Sequence, residues 1–440
     1  MSTWTSRICI LSLALAGSLL SATNGFAAAV FTVDSILDQI DDDTSDGICH
    51  TAANTCTLRA AVMSANKVSG TDDATIVLPA GIYTLIRPAD ATDGDDNGDL
   101  NLTAPVSGTP AIIIRGAGAG ATIIDANHID RVLSVDAGRS ANISGVTLRT
   151  GSVPAGKDGG GIYNSGVLTL VRCVLSGNTA GGDGGGILNK GTVALSYSTV
   201  SGNVAANDGG GIASFFAGTL DVSQSTISGN TAHSQGGGIA NVAALSIKNS
   251  TIALNNSDGN GGGIYNIGNT LLNANIYSST IAYNDADHEQ NLAGSGGGVF
   301  LDGTGGNGFN LYNTILAANT VSNFLDYDDC AGISGGTLKT HARNLFGSAI
   351  SCTIDQISGN YDALDPPAFL GGLQNNGGPT QTIALLSGSN AIDGTILGVG
   401  CRDSQSAAIA IDQRGYARGA DSACDVGAYE YNDIFANGFE

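Results

Sequence analysis

Apolar and polar residues alternate with period two in short runs through the middle of the chain. Examples are Leu168-Thr169-Leu170, Leu220-Asp221-Val222 and Leu245-Ser246-Ile247. This alternation is that of strands with one face inside. Between the runs stand six Gly-Gly-Gly triplets, beginning at Gly159, Gly184, Gly209, Gly236, Gly261 and Gly296, with spacings of 25, 25, 27, 25 and 35 residues. Each triplet is followed by an aliphatic residue (Ile162, Ile187, Ile212, Ile239, Ile264, Val299). Usually an Asn comes two residues later: Asn164, Asn189, Asn241 and Asn266, with Ser214 in the exceptional coil. A second signature closes each coil: Leu175-Ser-Gly-Asn178, Val200-Ser-Gly-Asn203, Ile227-Ser-Gly-Asn230, Ile252-Ala-Leu-Asn255 and Ile281-Ala-Tyr-Asn284. No helical pattern of ten residues separates the runs, which argues against βαβ units.

A fixed period in this range marks a solenoid, in which each repeat buries its apolar face by stacking on its neighbours. The pattern predicts an all-β chain folded as a parallel β-helix. Roughly eleven coils would occupy residues 68–360, about 50 Å long at the strand spacing. The crossover rule favours the right-handed sense. Glycine permits positive φ and close approach of successive coils. Asparagine tolerates the left-handed turn conformation, and stacked Asn side chains can hydrogen-bond along the axis.

Both open ends of such a ladder need covering. In residues 56–66, Leu58, Val62 and Met63 fall on one helical face, beside Ala61 and Ala65. This predicts a short amphipathic helix capping the first coil. The expected organisation is a secretory signal over 1–27, an N-terminal cap over 28–67, the β-helix over 68–360, a C-terminal cap module over 361–431 and a tail over 432–440. The signal consists of Arg7, the apolar run Ile8–Leu20 and a small-x-small cleavage site ending at Ala27 or Ala29. No segment of transmembrane length is expected once it is removed.

The triplet and aliphatic-x-x-Asn signatures resemble the repeat of polymorphic outer-membrane proteins, written GGA[ILV] and FxxN, over residues 159–284. Leu, Val or Ile stands here at the Phe position. The resemblance implies a right-handed β-helix on the bacterial surface or outside a Gram-negative cell. Cys56-Thr57-Leu58-Arg59-Ala60-Ala61 resembles the CSLREA signature of exported β-helix proteins, departing at Thr57 and at Ala60, where the family has Glu. Gly377-Gly-Pro-Thr380, Ala384–Ser389, Ala391-Ile-Asp393, Asp412-Gln-Arg-Gly415, Arg418 and Cys424–Glu430 resemble the choice-of-anchor Q domain. That family is a terminal module of exported β-helix proteins. Ile434–Glu440 is similar to a short C-terminal tag of exported proteins. The roughly 80 residues after the repeats are too few for the β-barrel translocator that ends the polymorphic outer-membrane family, so a self-inserting autotransporter is not expected.

Charge narrows the partners. Lys and Arg number 17 and Asp and Glu 39, for a net charge of −22. This opposes nucleic-acid binding, which needs a basic face, and docking on anionic lipid. An exported chain permits disulfides. After Cys9 leaves with the signal, six cysteines fall into three local pairs: Cys49 with Cys56, Cys330 with Cys352, and Cys401 with Cys424. Cys173 is left over, and by alternation it faces inward as a small hydrophobe.

Candidate chemistry is sparse. Asp158, Asp183 and Asp208 precede consecutive triplets and would stack about one strand spacing apart. They read either as turn residues, since Asp-Gly makes good turns, or as a calcium ladder. Asp93, Asp95, Asn97 and Asp99 match the first half of an EF-hand-like calcium loop, but Ala104 stands where a bidentate Glu is required. A solvated acidic loop is the plainer reading. Asp287-His288-Glu289 sits in the longest inter-repeat insertion and resembles the acidic–His cluster of β-helix uronate epimerases, without its Pro. Lys248 lies one coil from Asp221 and reads as a surface ion pair. The expected function is non-catalytic binding to polysaccharide or cell-surface glycans by a monomeric, exported, surface-associated or extracellular protein, with calcium as the candidate cofactor. The alternative is a carbohydrate-active lyase, epimerase or hydrolase, which needs a Lys or Arg base beside acidic groups.

Overall fold

In the computed structural model, the residues described are 29–89, 94, 96–215, 218–268, 273–289, 294–305, 308–322, 326–348, 351–356, 363–364, 369–395, 400–418 and 424–431. The expected signal, the tail, Asp93 and Asp95 lie outside them.

The alternating runs are strands, and each regular coil contributes four. In one coil they are Ile162–Asn164, Val167–Val171, Val174–Ser176 and Thr179–Ala180. Each pairs in parallel with its equivalent in the next coil, building sheets of nine, twelve, eleven and eight strands respectively. The result is a right-handed parallel β-helix. The ladder begins early, since Ala29–Thr32 already pairs with Ala74–Leu78.

Register follows the sequence signatures. The residues after the triplets, from Ile162 through Ile187, Ile212, Ile239 and Ile264 to Val299, lie directly above one another. All are buried, and with the leucines of the longer strands they form one continuous core. Glycine is required at the triplets for two reasons. Gly184 adopts φ +70°, and a Cβ on Gly186 would lie 2.6 Å from the Gly211 carbonyl oxygen of the next coil.

Asparagine forms an internal hydrogen-bonded ladder. The amide Nδ2 and backbone N–H of Asn178 both donate to Asn203 Oδ1, at 2.9 and 3.0 Å. The same double contact repeats from Asn203 to Asn230, Asn255, Asn284 and Asn319. It ends on a carboxylate, where Asn319 donates twice to Asp329 Oδ1 at 2.8 Å. A parallel ladder of hydroxyls starts at Cys173, whose backbone N–H donates to Ser198 Oγ, and continues through Ser225, Ser250 and Ser279. Cys173 is a buried free thiol, and burial pushes it up to about 11.

Burial pushes the Asp329 carboxyl up to about 7, against about 3.9 in an unfolded chain. Between those values the folded chain holds a proton that the unfolded chain has released. The stabilisation is therefore full below about pH 4 and is lost as pH rises through about 7. Asp425, also raised to about 7 chiefly by burial, acts in the same direction. Asp329→Asn is expected to flatten the fall in denaturation midpoint between about pH 5 and pH 8 relative to the unsubstituted chain. Equal slopes in the two proteins would refute this assignment.

The N-terminal cap is the helix α1, Leu58–Lys67, with Thr57 as its N-cap accepting from Ala60 N–H. Arg59, on this helix, is fully buried and pairs with Asp38 at 2.6 Å. The three local cysteine pairs are bonded, with Cα–Cα separations of 5.2, 5.4 and 5.8 Å.

The C-terminal module differs from the expected end cap. It folds back along the flank of the eleven-stranded sheet. Gln413 Nε2 donates to Thr226 Oγ1 at 3.0 Å, and Thr251 Oγ1 donates to Gln413 Oε1 at 2.6 Å. Arg418 Nη2 donates to Asn249 Oδ1, and Ala428 N–H to Thr280 Oγ1. The physical reason lies in one outward-facing row. Ser176, Ser201 and Ser228 are followed in register by Ala253, Ala282 and Ala317. The three alanines are fully buried beneath Leu370, Ile383, Leu385 and Val426. An apolar face beside these coils needs a cover, and the module supplies it.

Candidate ligand groove

In the three-residue strands of the nine-stranded sheet, the central residue points outward. Asn101, Ser134 and Tyr163 occupy that position in consecutive strands and lie in register. They form the floor of a groove of about 630 Å³ near the N-terminal end. Lys67 enters from the last turn of α1, Arg131 from the segment before Leu133–Val135, and Lys157 with Asp158 from the turn before the first triplet. Asp136 completes the polar lining. From the next coil, Lys190 Nζ donates to Tyr163 Oη at 2.7 Å. The Arg131 guanidinium lies 5.7 Å from the Tyr163 ring centroid, within cation–π range.

Electrostatics set this groove apart. Four of the 17 basic residues meet around Tyr163 in a chain of net charge −22. The acidic groups there are three: Asp136 and Asp158 in the lining, and Asp99 beneath Arg131. Lys67 and Lys157 are exposed, so their ammonium groups are available to a ligand. Arg131 is held from below by Asp99, whose buried carboxylate contacts Nη1 at 3.3 Å.

The sequence candidates take other roles. Asp158 Oδ1 accepts from Asp183 N–H, Asp183 Oδ1 from Asp208 N–H, and Asp208 Oδ1 from Gln235 N–H, at 3.0–3.1 Å. Each carboxylate thus bonds the equivalent turn of the following coil. The three are spread along the axis, and Asp158 also lines the groove. Burial, with the charges of Asp208 and Asp158, raises the Asp183 carboxyl above its ordinary value. In the EF-hand-like segment, the Asn97, Gly98 and Asp99 carbonyls accept from Arg59, and the Asp99 carboxylate is committed to Arg131. Those contacts make the described part of that loop structural. Asp287 is buried and accepts from Ser322 Oγ at 2.6 Å, while His288 Nδ1 lies 3.0 Å from Asp285 Oδ2. Lys248, expected opposite Asp221, instead reaches Asp403 of the C-terminal module at 3.6 Å.

The groove residues Lys67, Arg131, Lys157, Lys190 and Tyr163 were not candidates from sequence. Period two does mark Tyr163 as outward between Ile162 and Asn164. The coils contributing Lys67 and Arg131 precede the triplets and carry no repeat signature.

The Chlamydia polymorphic membrane protein repeat matches residues 172–190 and 224–242. Each match starts just before a Ser-Gly-Asn signature and runs past the next triplet to its Asn. No curated protein matches the chain. Among solved structures, the crystal structure of pectate lyase Pel9A is similar with a TM-score of 0.44 and 14% identity, over 93% of this chain and 98% of that one. Among the described residues, no helix is long and apolar enough to cross a membrane.

Proposed function

We propose that this is an exported, surface-associated β-helix protein that binds acidic glycans in the groove around Tyr163. The observation that carries this is the concentration of Lys67, Arg131, Lys157 and Lys190 about one aromatic ring in a strongly acidic chain. Cationic groups around a half-buried phenol suit a chain of carboxylated sugars: ammonium and guanidinium groups meet the carboxylates, and the ring edge meets a pyranose face. The chain's overall negative field would repel a polyanion elsewhere, which favours this site for such a ligand. The polymorphic membrane protein repeat supports the surface location, and the CSLREA-like and choice-of-anchor-like segments fit an exported chain.

The test is titration of oligogalacturonate into the protein by calorimetry. Lys67→Glu with Lys157→Glu replaces two exposed attractive charges by repulsive ones. Two charge-assisted contacts of about 1.5 kcal/mol each predict a loss of affinity on the order of a hundredfold. Affinity should also fall with added salt. An affinity unchanged by the double substitution would defeat the proposal.

One observation favours a second, catalytic reading. The Lys190 ammonium lies against the Tyr163 hydroxyl, so a phenol able to act as a general base stands among cations able to neutralise a substrate carboxylate. In an elimination, the base removes the proton α to the carboxylate, the glycosidic C–O bond breaks, a C=C bond forms, and the leaving oxygen takes a proton. An unsaturated-uronate absorbance that grows with time in the same mixtures, and is absent in Tyr163→Phe, would identify it. Binding without such absorbance leaves the non-catalytic reading.

A further inference from the structure

A second cluster lies away from the groove, at the exit of the eight-stranded sheet. There Thr231–Ala232 pairs in register with Asn256–Ser257, so the residues that follow, His233 and Asp258, occupy equivalent places one coil apart. His233 Nδ1 lies 2.7 Å from Asp258 Oδ2. A third group arrives from the next coil. From Ala232 to Gly236, and from Ser257 to Gly261, the chain takes four residues, whereas from Ala286 to Gly296 it takes ten. The longer loop begins with Asp287, His288 and Glu289, and Glu289 turns back toward the other two. One donor atom from each of His233, Asp258 and Glu289 lies within 4.8 Å of the others.

We infer that His233, Asp258 and Glu289 form a binding site for a divalent transition-metal ion of the zinc class, with one coordination position open to solvent or ligand. Three features support this. Asp258 is nine-tenths buried, yet among the described residues the partner of its carboxylate is the half-exposed imidazole of His233. A second carboxylate, that of Glu289, is brought close to it, and a bound cation would offset the repulsion between the two. The donor set is one imidazole nitrogen and two carboxylate oxygens. Imidazole selects zinc, nickel, copper or cobalt over calcium and magnesium, which prefer oxygen alone. Three protein ligands with a vacant fourth place is the arrangement of zinc sites that act on a further ligand, whereas structural zinc is closed by four.

A comparable group at the N-terminal end, Asp41, Asp42 and His50, is differently engaged. Both nitrogens of His50 are taken, by Asp42 and Asp46, and Asp41 accepts from Ser64 Oγ. His50 therefore serves as the control.

The experiment is zinc chloride titration of the chelator-treated full chain, read by calorimetry, with cobalt substitution read by its visible absorption. About one equivalent of zinc is expected per chain, with a rise in melting temperature because the ion binds the folded state. His233→Ala and Glu289→Gln alter exposed side chains, so they should preserve the fold. Each should abolish the stoichiometric site, and His50→Ala should leave it intact. Tetrahedral cobalt absorption should appear in the unsubstituted chain and vanish in His233→Ala. Absence of binding to the unsubstituted chain would overturn the inference. So would retention of the site in His233→Ala, or its loss in His50→Ala alone.

Discussion

Asn230→Ala is expected to cost about 4 kcal/mol of folding stability, from two buried N–H groups of Asn203 that lose their shared acceptor at about 2 kcal/mol each. Asn230 is the middle rung of the internal ladder and is fully buried. Its Oδ1 accepts both the backbone N–H and the Nδ2 of Asn203, and its Nδ2 donates to Val200 O and Asn255 Oδ1. Alanine removes the acceptor from a fully buried position. The comparison is Ser201→Ala, which changes an outward-facing residue at a position where later coils already carry Ala253 and Ala282. That substitution should change stability by no more than about 0.5 kcal/mol. Denaturant midpoints followed by circular dichroism separate the two. If Asn230→Ala proves no more costly than Ser201→Ala, the ladder does not hold the coils together. In a solenoid the damage should also be local, with early loss of hydrogen-exchange protection in the coils on either side of Asn230.

Arg59→Met is expected to cost about 3–5 kcal/mol, because it strands a buried carboxylate. Arg59 donates from Nε to Asp38 Oδ1 at 2.6 Å and from Nη2 to the Gly98 carbonyl at 2.8 Å. Asp38 in turn accepts from the backbone N–H groups of Ile86 and Arg87. One guanidinium thus ties the capping helix to the segment between the first strand and the helix and to the loop over residues 97–99. The first turn of α1 holds no acidic residue, so the acid is supplied from a distance by Asp38. The discriminating measurement is a double substitution. Arg59→Met with Asp38→Leu removes both charges and should recover part of the loss, since well-packed apolar residues can replace a buried pair. A double variant no more stable than Arg59→Met alone would show that the carbonyl contacts, and not the stranded carboxylate, set the cost.

Repetition made the solenoid legible. Each coil meets the same steric problem as the next, so Gly184, Gly209 and their counterparts recur wherever the backbone must turn left-handed against a neighbouring carbonyl. Asn178, Asn203 and Asn230 recur because a stacked amide can both donate and accept along the axis. Helix α1 was legible for a local reason: Leu58, Val62 and Met63 share a face within three turns. The cysteine pairs were visible because each pair is close in sequence.

The remaining features rest on contacts between distant residues. The Ser-to-Ala change at Ala253 and Ala282 was in plain view, but it acquires meaning only when Leu370 and Val426 are seen packed on it. Asp158, Asp183 and Asp208 stack as their spacing implied. Only the structure shows that each Oδ1 faces the N–H of the following coil, an acceptor role that spacing alone cannot distinguish from metal ligation. The groove gathers Lys67 from the capping helix and Arg131, Lys157 and Lys190 from successive turns of the β-helix. The chain by itself therefore determined how it winds, since winding depends on signals one period apart. Where its charges meet was decided by the register of irregular coils and by loops such as 287–289, whose direction no local pattern encodes.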